Sequence, residues 1–223
     1  KLIEILIMGR VKVKRNSIIY ISLKRVMDVL IGLFGTIFIV LPCSLIIYII
    51  YKIKGYKGNI FFTQYRVGLR VKKFKIIKFR SMVENAEEVL TANKALYEKY
   101  INNSYKLPPN EDPRLTNIGD FIRKTSIDEI PQFINLMLYD MSLIGPRPIL
   151  ENELEEYSKE EQEVLLSVRP GITGMWQVSG RSEVCYPERC EMELYYPRNQ
   201  SFLLDVKIFF LTIKKVLSGE GAH

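Results

Sequence analysis

The stretch "VLIGLFGTIFIVLPCSLIIYIIY", from Val29 to Tyr51, runs 23 residues without a charge. That is enough to cross a bilayer core, which takes about 20 residues. It is too long for a secretory signal and lacks a small-residue cleavage site. Cations crowd both flanks: Arg10, Lys12, Lys14, Arg15, Lys24 and Arg25 before it, Lys52, Lys54 and Lys57 after it. The positive-inside bias then asks for both ends to be cytoplasmic. Pro42 stands near the middle, where a missing N–H and a ring clash kink a helix. A helix-break-helix hairpin that dips into one leaflet and returns satisfies both observations. A plain transmembrane helix satisfies the length alone. Asp28 sits at the entry, where an acid is costly in lipid unless paired, and Arg25 or Lys24 is the obvious partner.

Charge and reactive side chains narrow the chemistry. A net charge of +7 and a pI near 9.2 suggest a polyanionic partner: nucleic acid, an anionic membrane surface or a phosphate-bearing substrate. The three cysteines, Cys43, Cys185 and Cys190, are odd in number, and one lies inside the apolar run. That argues against a disulfide framework and for a reducing compartment, and no second ligand pair supports zinc. The only histidine is the last residue, His223. Ser-His and Cys-His nucleophile pairs are therefore excluded, and chemistry must run on carboxylates, Arg and Lys. Because the first residue is Lys1, the chain is expected to be trimmed or part of something longer.

Beyond the run, residues 59–82 read as two β-rich segments around a Gly68 turn, a hairpin. Residues 83–101 carry Val83, Ala86, Leu90, Tyr97 and Ile101 at near-helical spacing, a surface helix. "SIDEIPQ" (126–132) sets Asp128 beside Glu129. Ser126 and Glu129 match an S-x-x-E capping box, which predicts a helix from Ile127 toward Leu138 with Pro131 in its first turn. Both acids would then enjoy the helix dipole, a role that needs no catalysis. In Gly145-Pro146-Arg147-Pro148, two prolines stiffen the backbone around an arginine suited to gripping a phosphate; a rigid turn that merely exposes it is the plainer reading. Arg169-Pro170-Gly171 reads as a type II turn leading into "ITGMWQVSGR", which closes on Arg181. Neither a P-loop nor a dinucleotide fingerprint is present. The tail at 202–217 suits a core helix or a membrane-surface helix equally.

Taken in order, "KRVMD", the proline-broken run, "FTQYRVG", "KFRSM", "DPRLTNIGDFIRKTSIDEIPQFINLMLYDMSLIGPRP", "RPGITGMWQVSGR" and "LDVKIFFLTIKKVL" resemble the small monotopic phosphoglycosyl transferases. These are the polyprenyl-phosphate sugar-1-phosphate transferases of the bacterial sugar transferase family, and the likeness covers about residues 22–218. One departure is Gln200, where many relatives carry tryptophan.

The resemblance implies an α+β fold with a re-entrant N-terminal membrane hairpin. A small, mostly helical catalytic domain with a short β-hairpin and interfacial helices would follow. The expected boundaries are 1–21 for a basic amphipathic segment, 22–54 for the re-entrant helix and 55–223 for the cytoplasmic catalytic domain. The family's Asp-Glu dyad falls on Asp128 and Glu129. Asp128 would attack the sugar-bearing phosphorus of a UDP-sugar and release UMP, and polyprenol phosphate would then take the sugar phosphate. Mg²⁺, bound through Asp128, is the implied cofactor. Lys78, Arg80, Arg123, Arg147, Arg169 and Arg181 are the expected substrate-binding cations, and Lys24, Arg25, Asp28 and Pro42 the membrane anchor.

Expected partners are the UDP-sugar, polyprenol phosphate and anionic lipids at the bacterial inner membrane, with no nucleic acid; self-association is left open. The region 180–196 resembles members that transfer hexose-1-phosphate, which implies a hexose such as galactose or glucose over N-acetylated sugars. A scaffold that has lost catalysis is the alternative, and the intact dyad and Arg147 speak against it.

Overall fold

The computed structural model describes residues 16–103, 107–179, 184 and 186–218. Most of the expected 1–21 segment, and the candidate Arg181, lie outside the described residues.

The apolar run is helical from Ile18 to Ile53. It comprises α1 (Ile18–Gly35), a π-helical stretch (Thr36–Val40) and α2 (Leu41–Ile53). Ser17 caps the start by accepting from the Tyr20 N–H. The break predicted at Pro42 is a widening instead, since the cap residues on both sides of the π stretch keep right-handed helical angles. Phe38, whose carbonyl an inserted proline ring would strike, lies inside that wider turn. The proline is absorbed without a loop.

One stripe of this helix is buried: Arg25, Asp28, Gly32 and Gly35 on α1, then Val40, Ile47 and Tyr51. The spacing on α1 is that of one helical face. Other faces carry exposed apolar side chains, among them Ile19, Leu30, Phe34, Phe38, Leu45 and Ile49.

The predicted hairpin forms. β1 (Phe61–Val67) and β2 (Lys73–Phe79) pair antiparallel, with Phe62 opposite Lys78 and Arg66 opposite Phe74. The left-handed conformation in its turn belongs to Arg70 and Val71, with φ of 54° and 65°. Gly68 serves by lacking a side chain, since a Cβ there would lie 3.1 Å from the Phe74 ring. The single helix expected over 83–101 is two, α3 (Ala86–Ala92) and α4 (Lys94–Asn102). They divide at extended Asn93, whose side chain accepts from the Leu96 N–H at 3.1 Å and caps the second helix.

The chain continues through α5 (Gly119–Lys124) and a 3₁₀ turn (Ile127–Glu129) to α6 (Gln132–Met137). β3 (Ser142–Ile144) pairs in parallel with β4 (Gly171–Thr173). No type II turn occurs at Pro170-Gly171. Gly171 is extended strand, and a Cβ on it would meet the Gly145 nitrogen at 2.1 Å, so this glycine permits close strand approach.

Between the strands lies α7 (Lys159–Leu165), opened by a complete capping box of Ser158 and Glu161. After β4 come α8 (Met175–Ser179), α9 (Glu188–Asn199) and α10 (Phe202–Ser218). The core reading of the tail holds for one face of α10, and the other face is exposed and apolar. Leu204 and Ile208 pack with Ile144 and Tyr196, while Phe202, Leu203, Phe210 and Val216 are exposed.

α6 is the central element. Leu136 and Met141 pack on Phe74 and Ile76 of β2, with Ile31 of α1 against the same cluster. Gly32 and Gly35 let α1 lie directly on α6: a Cβ on Gly32 would sit 2.7 Å from the Met137 nitrogen, and one on Gly35 2.4 Å from the Phe133 ring. Asn135, fully buried, joins α6 to β2. Its Oδ1 accepts from the Ile77 N–H at 3.0 Å and its Nδ2 donates to the Lys75 carbonyl at 2.8 Å. One side chain thus satisfies β2 as a third strand would. Replacing it with near-isosteric leucine strands both backbone groups. Asn135→Leu is expected to lower unfolding stability by about 2–4 kcal/mol, read by denaturant titration; an unchanged midpoint would contradict the role given to this side chain.

Candidate active site

The turn carrying the two acids is built differently from the capping-box expectation. Ser126 is left-handed (φ 56°, ψ 18°), and its side chain makes no cap bond. Residues Ile127–Glu129 form a 3₁₀ turn, closed by Glu129 N–H to the Ser126 carbonyl and Ile130 N–H to the Ile127 carbonyl. The helix proper starts only after Pro131, at Gln132. In a 3₁₀ turn, residues three apart eclipse. Ile127 and Ile130 accordingly point together into a cluster with Phe79, Ile47 and Tyr51. The acids between them face the Lys78 side chain instead.

The Lys78 Nζ lies 2.8 Å from Glu129 Oε1 and 3.4 Å from Asp128 Oδ2, one ammonium bridging both carboxylates. Asp128 is buried, with 10% of its side chain exposed, against 40% for Glu129. Burial pushes the Asp128 carboxyl above the usual carboxylate range, and the neighbouring Glu129 charge adds to that; Lys78 and Arg123 pull against it. The two acids are therefore unequal. Asp128 is held tightly in a dry, cation-facing position, and Glu129 is the wetter one.

The other expected cations divide among separate places. Arg123, on α5, is exposed and acts on Asp128 through its charge. Arg80 follows β2 directly, but its guanidinium donates to the Lys57 carbonyl and lies 5.2 Å from the Tyr51 ring. Tyr51 in turn donates its hydroxyl to the Arg80 carbonyl. Arg169 donates to the Tyr139 carbonyl at 3.0 Å, with the Tyr139 ring also taking Arg25 over its face at 3.4 Å. Burial lowers the Arg169 pKa, and nearby Arg25 contributes.

Arg147 belongs to a second polar cluster, with Glu153, Arg66, Arg189 and the ring of Trp176. Arg66 and Lys78 sit opposite Phe74 and Phe62, so both clusters lie on one face of the hairpin. Four residues of strand, about 13 Å, separate them. No spacing rule marked Glu153, Arg66 or Arg189 in the sequence. The Ser158-x-x-Glu161 capping box, by contrast, follows a local sequence rule.

At the apolar helix, Arg25 pairs with Asp28 at 3.7 Å and donates to the Met141 and Leu136 carbonyls at 2.9 and 3.2 Å. Asp28 accepts from the Leu143 N–H at 2.9 Å. Lys24 pairs instead with Asp205 of α10 at 3.1 Å.

A buried acid and its neighbour thus share one bridging lysine, on a turn that packs against the apolar N-terminal helix. The profile of the bacterial sugar transferases matches residues 19–219, and the chain belongs to that family. It is 41% identical over 204 residues to the undecaprenyl-phosphate galactose phosphotransferase of Salmonella typhimurium, covering 90% of this chain and 42% of that protein. It is 42% identical over 205 residues to the UDP-galactose-lipid carrier transferase of Erwinia amylovora, again 90% of this chain and 42% of the relative. It is 40% identical over 204 residues to the exopolysaccharide production protein ExoY of Sinorhizobium fredii, with 90% and 88% covered. The chain thus spans less than half the length of the first two relatives and most of the third.

The electrostatics generate a stability prediction. An acid whose folded pKa lies above its unfolded one weakens the fold at pH above that value, and the penalty fades as pH falls through it. Asp128→Asn is therefore expected to melt higher than the wild type at pH 7 in chelator, with the gap closing toward acid pH. Calorimetry at several pH values checks this; a lower melting temperature at pH 7 would contradict it.

Proposed function

We propose that the protein transfers a sugar-1-phosphate from a UDP-sugar to a polyprenol phosphate, undecaprenyl phosphate above all, in the first membrane step of surface polysaccharide synthesis. The observation that carries this reading is the Asp128–Lys78–Glu129 arrangement, with one acid buried against cations and the other open. The relatives named for undecaprenyl-phosphate galactose and UDP-glucose transfer support the donor, the acceptor and a hexose.

In the first half-reaction an Asp128 carboxylate oxygen attacks the sugar-bearing phosphorus. The phosphorus–oxygen bond to UMP breaks and UMP leaves, so the sugar phosphate rests on Asp128. In the second, a phosphate oxygen of the lipid attacks the same phosphorus. The aspartyl bond breaks, giving polyprenyl-diphosphate-sugar and free Asp128. Lys78 offsets the charge of both acids as an anionic substrate approaches, and Arg123 adds positive potential at the same turn. Glu129, half exposed, is placed to orient the incoming group. Arg147, stiffened by its two prolines, is the donor contact on the nucleotide side, whereas Arg80 and Arg169 are engaged at the Lys57 and Tyr139 carbonyls.

Among the described residues no group of three or more His, Cys, Asp or Glu could hold a metal alone. Two adjacent carboxylates do fit Mg²⁺ shared with substrate phosphates, the usual way this ion binds. Asp128, with Glu129 beside it, would hold the ion, which when bound supplies charge neutralisation at the diphosphate.

Re-entrance of residues 22–54 is supported by where the helix is fastened. Arg25 near one end and Tyr51 near the other both bond to the backbone of the residues that follow the helix. Because both attachments are to one body, an upright crossing would need that body on both sides of the bilayer.

Three outcomes are expected. Incubated with donor alone, the wild type should gain one hexose-phosphate by intact-protein mass spectrometry and Asp128→Asn none; an adduct persisting on Asp128→Asn sinks the nucleophile assignment. Turnover should stop in excess chelator and return with Mg²⁺. Cysteines placed at Asn16 and Tyr56 should label from the same side of sealed vesicles, and opposite-side labelling would rule out re-entrance.

A further inference from the structure

Glu153 is buried on the 3₁₀ turn Asn152–Glu156 and serves three guanidinium groups. Its Oε1 accepts from Arg147 Nη1 at 3.3 Å and Arg189 Nη1 at 3.5 Å. Its Oε2 accepts from Arg66 Nη1 at 3.4 Å and from the Leu150 N–H at 2.6 Å. Arg66 and Arg189 are buried, but 26% of the Arg147 side chain is exposed. Behind Arg189 stands Glu193, accepting from Arg189 Nε at 2.7 Å and from the Tyr157 hydroxyl at 3.0 Å. The network therefore runs from the core outward, and Arg147 is its half-exposed arm.

Buried ion pairs gain little over apolar packing of the same volume, so stability is a poor reason for such a network. What the network does fix is direction. Pro146 and Pro148 restrict the backbone of Arg147, and its segment is pinned by Gly171 N–H to the Pro146 carbonyl and Arg66 to the Pro148 carbonyl. The prolines leave the long side chain free. Glu153 holds it from one side, and the Trp176 ring, 5.5 Å from the guanidinium carbon, faces it as well. Burial opposes ionisation of the Glu153 carboxyl, but Arg147, Arg189, the Leu150 N–H and Arg66 together outweigh it and lower its pKa.

We propose that Glu153 is a positioning residue for donor binding, aiming the Arg147 guanidinium at the anionic part of the nucleotide sugar so that little side-chain freedom is lost on binding. The proposal rests on the reading of Arg147 as a donor contact. A brace that only stabilised the core would act on melting temperature and would not distinguish KM from kcat.

The test uses the full chain in detergent, undecaprenyl phosphate as acceptor, and whichever of UDP-galactose and UDP-glucose releases UMP faster. KM for the donor, kcat and melting temperature are measured for wild type, Glu153→Asp, Glu153→Gln, Arg147→Ala and the double variant Arg147→Ala/Glu153→Gln. Glu153→Asp keeps the charge but shortens the reach, which guards against a misfolded Gln variant. The expected result is a donor KM raised about tenfold in both Glu153 variants with kcat little changed, and a double variant no worse than Arg147→Ala. An unaltered KM in Arg147→Ala overturns the donor-contact reading and this inference with it, as does absence of UMP release from either donor. A raised KM in Arg147→Ala overturns the inference alone if the Glu153 variants bind donor normally, if the two losses simply add, or if both Glu153 variants fail to fold.

Discussion

The longest helix of the chain is fastened near both ends to the same small body, and the rest of the structure depends on that. At one end Arg25 holds the Leu136 carbonyl of α6 and the Met141 carbonyl beyond it, while Asp28 takes the Leu143 N–H. At the other, Ile47 and Tyr51 enter the cluster that seats Ile127 and Ile130. The two attachments are different in kind. The first is a charged pair that also bonds backbone groups, so neither charge is buried alone. The second is apolar packing with one polar tie, the Tyr51 hydroxyl donating to the Arg80 carbonyl. Between them the π stretch takes up Pro42 without a break in the helix.

That arrangement explains why the acids stand where they do. Ile127 and Ile130 commit one side of a short turn to the core, which leaves Asp128 and Glu129 only the side facing Lys78. Asn135 then sets the distance, because it ties α6 to β2 at Lys75 and Ile77, just before the lysine. Left-handed Ser126 supplies the change of direction out of α5. No part of this relies on a helix dipole, since the acids precede the helix.

Much of this was legible in the sequence where local rules govern. The hairpin, the apolar helix and the pairing of Arg25 with Asp28 follow from periodicity and from the cost of lone charges. The Asp-Glu pair and its motif context pointed to the family. Other features escaped for reasons that can be named. The S-x-x-E pattern at Ser126 competes with a left-handed backbone that the preceding helix end imposes, and the same pattern at Ser158 succeeds where no such constraint acts. Pro170-Gly171 has turn chemistry, but parallel pairing with β3 needs the glycine for closeness. A proline in an apolar run signals distortion without saying whether a loop or a wider turn will absorb it. Asn135 and Glu153 act across 58 and 87 residues of chain, toward Ile77 and Arg66, and no local pattern reports contacts of that range.

The double attachment has a mechanical consequence. A helix held at one end swings and tilts as a separate lever, and the attitude of its partner is then free. Here Arg25 and Tyr51 remove that freedom, so the greasy surface of the helix and the dyad turn share one frame. Whatever plane receives the exposed side chains of α1 and α2 also sets the angle and height at which Asp128 is presented. The orientation of the reaction centre is thus written into the protein as a fixed offset from its apolar face.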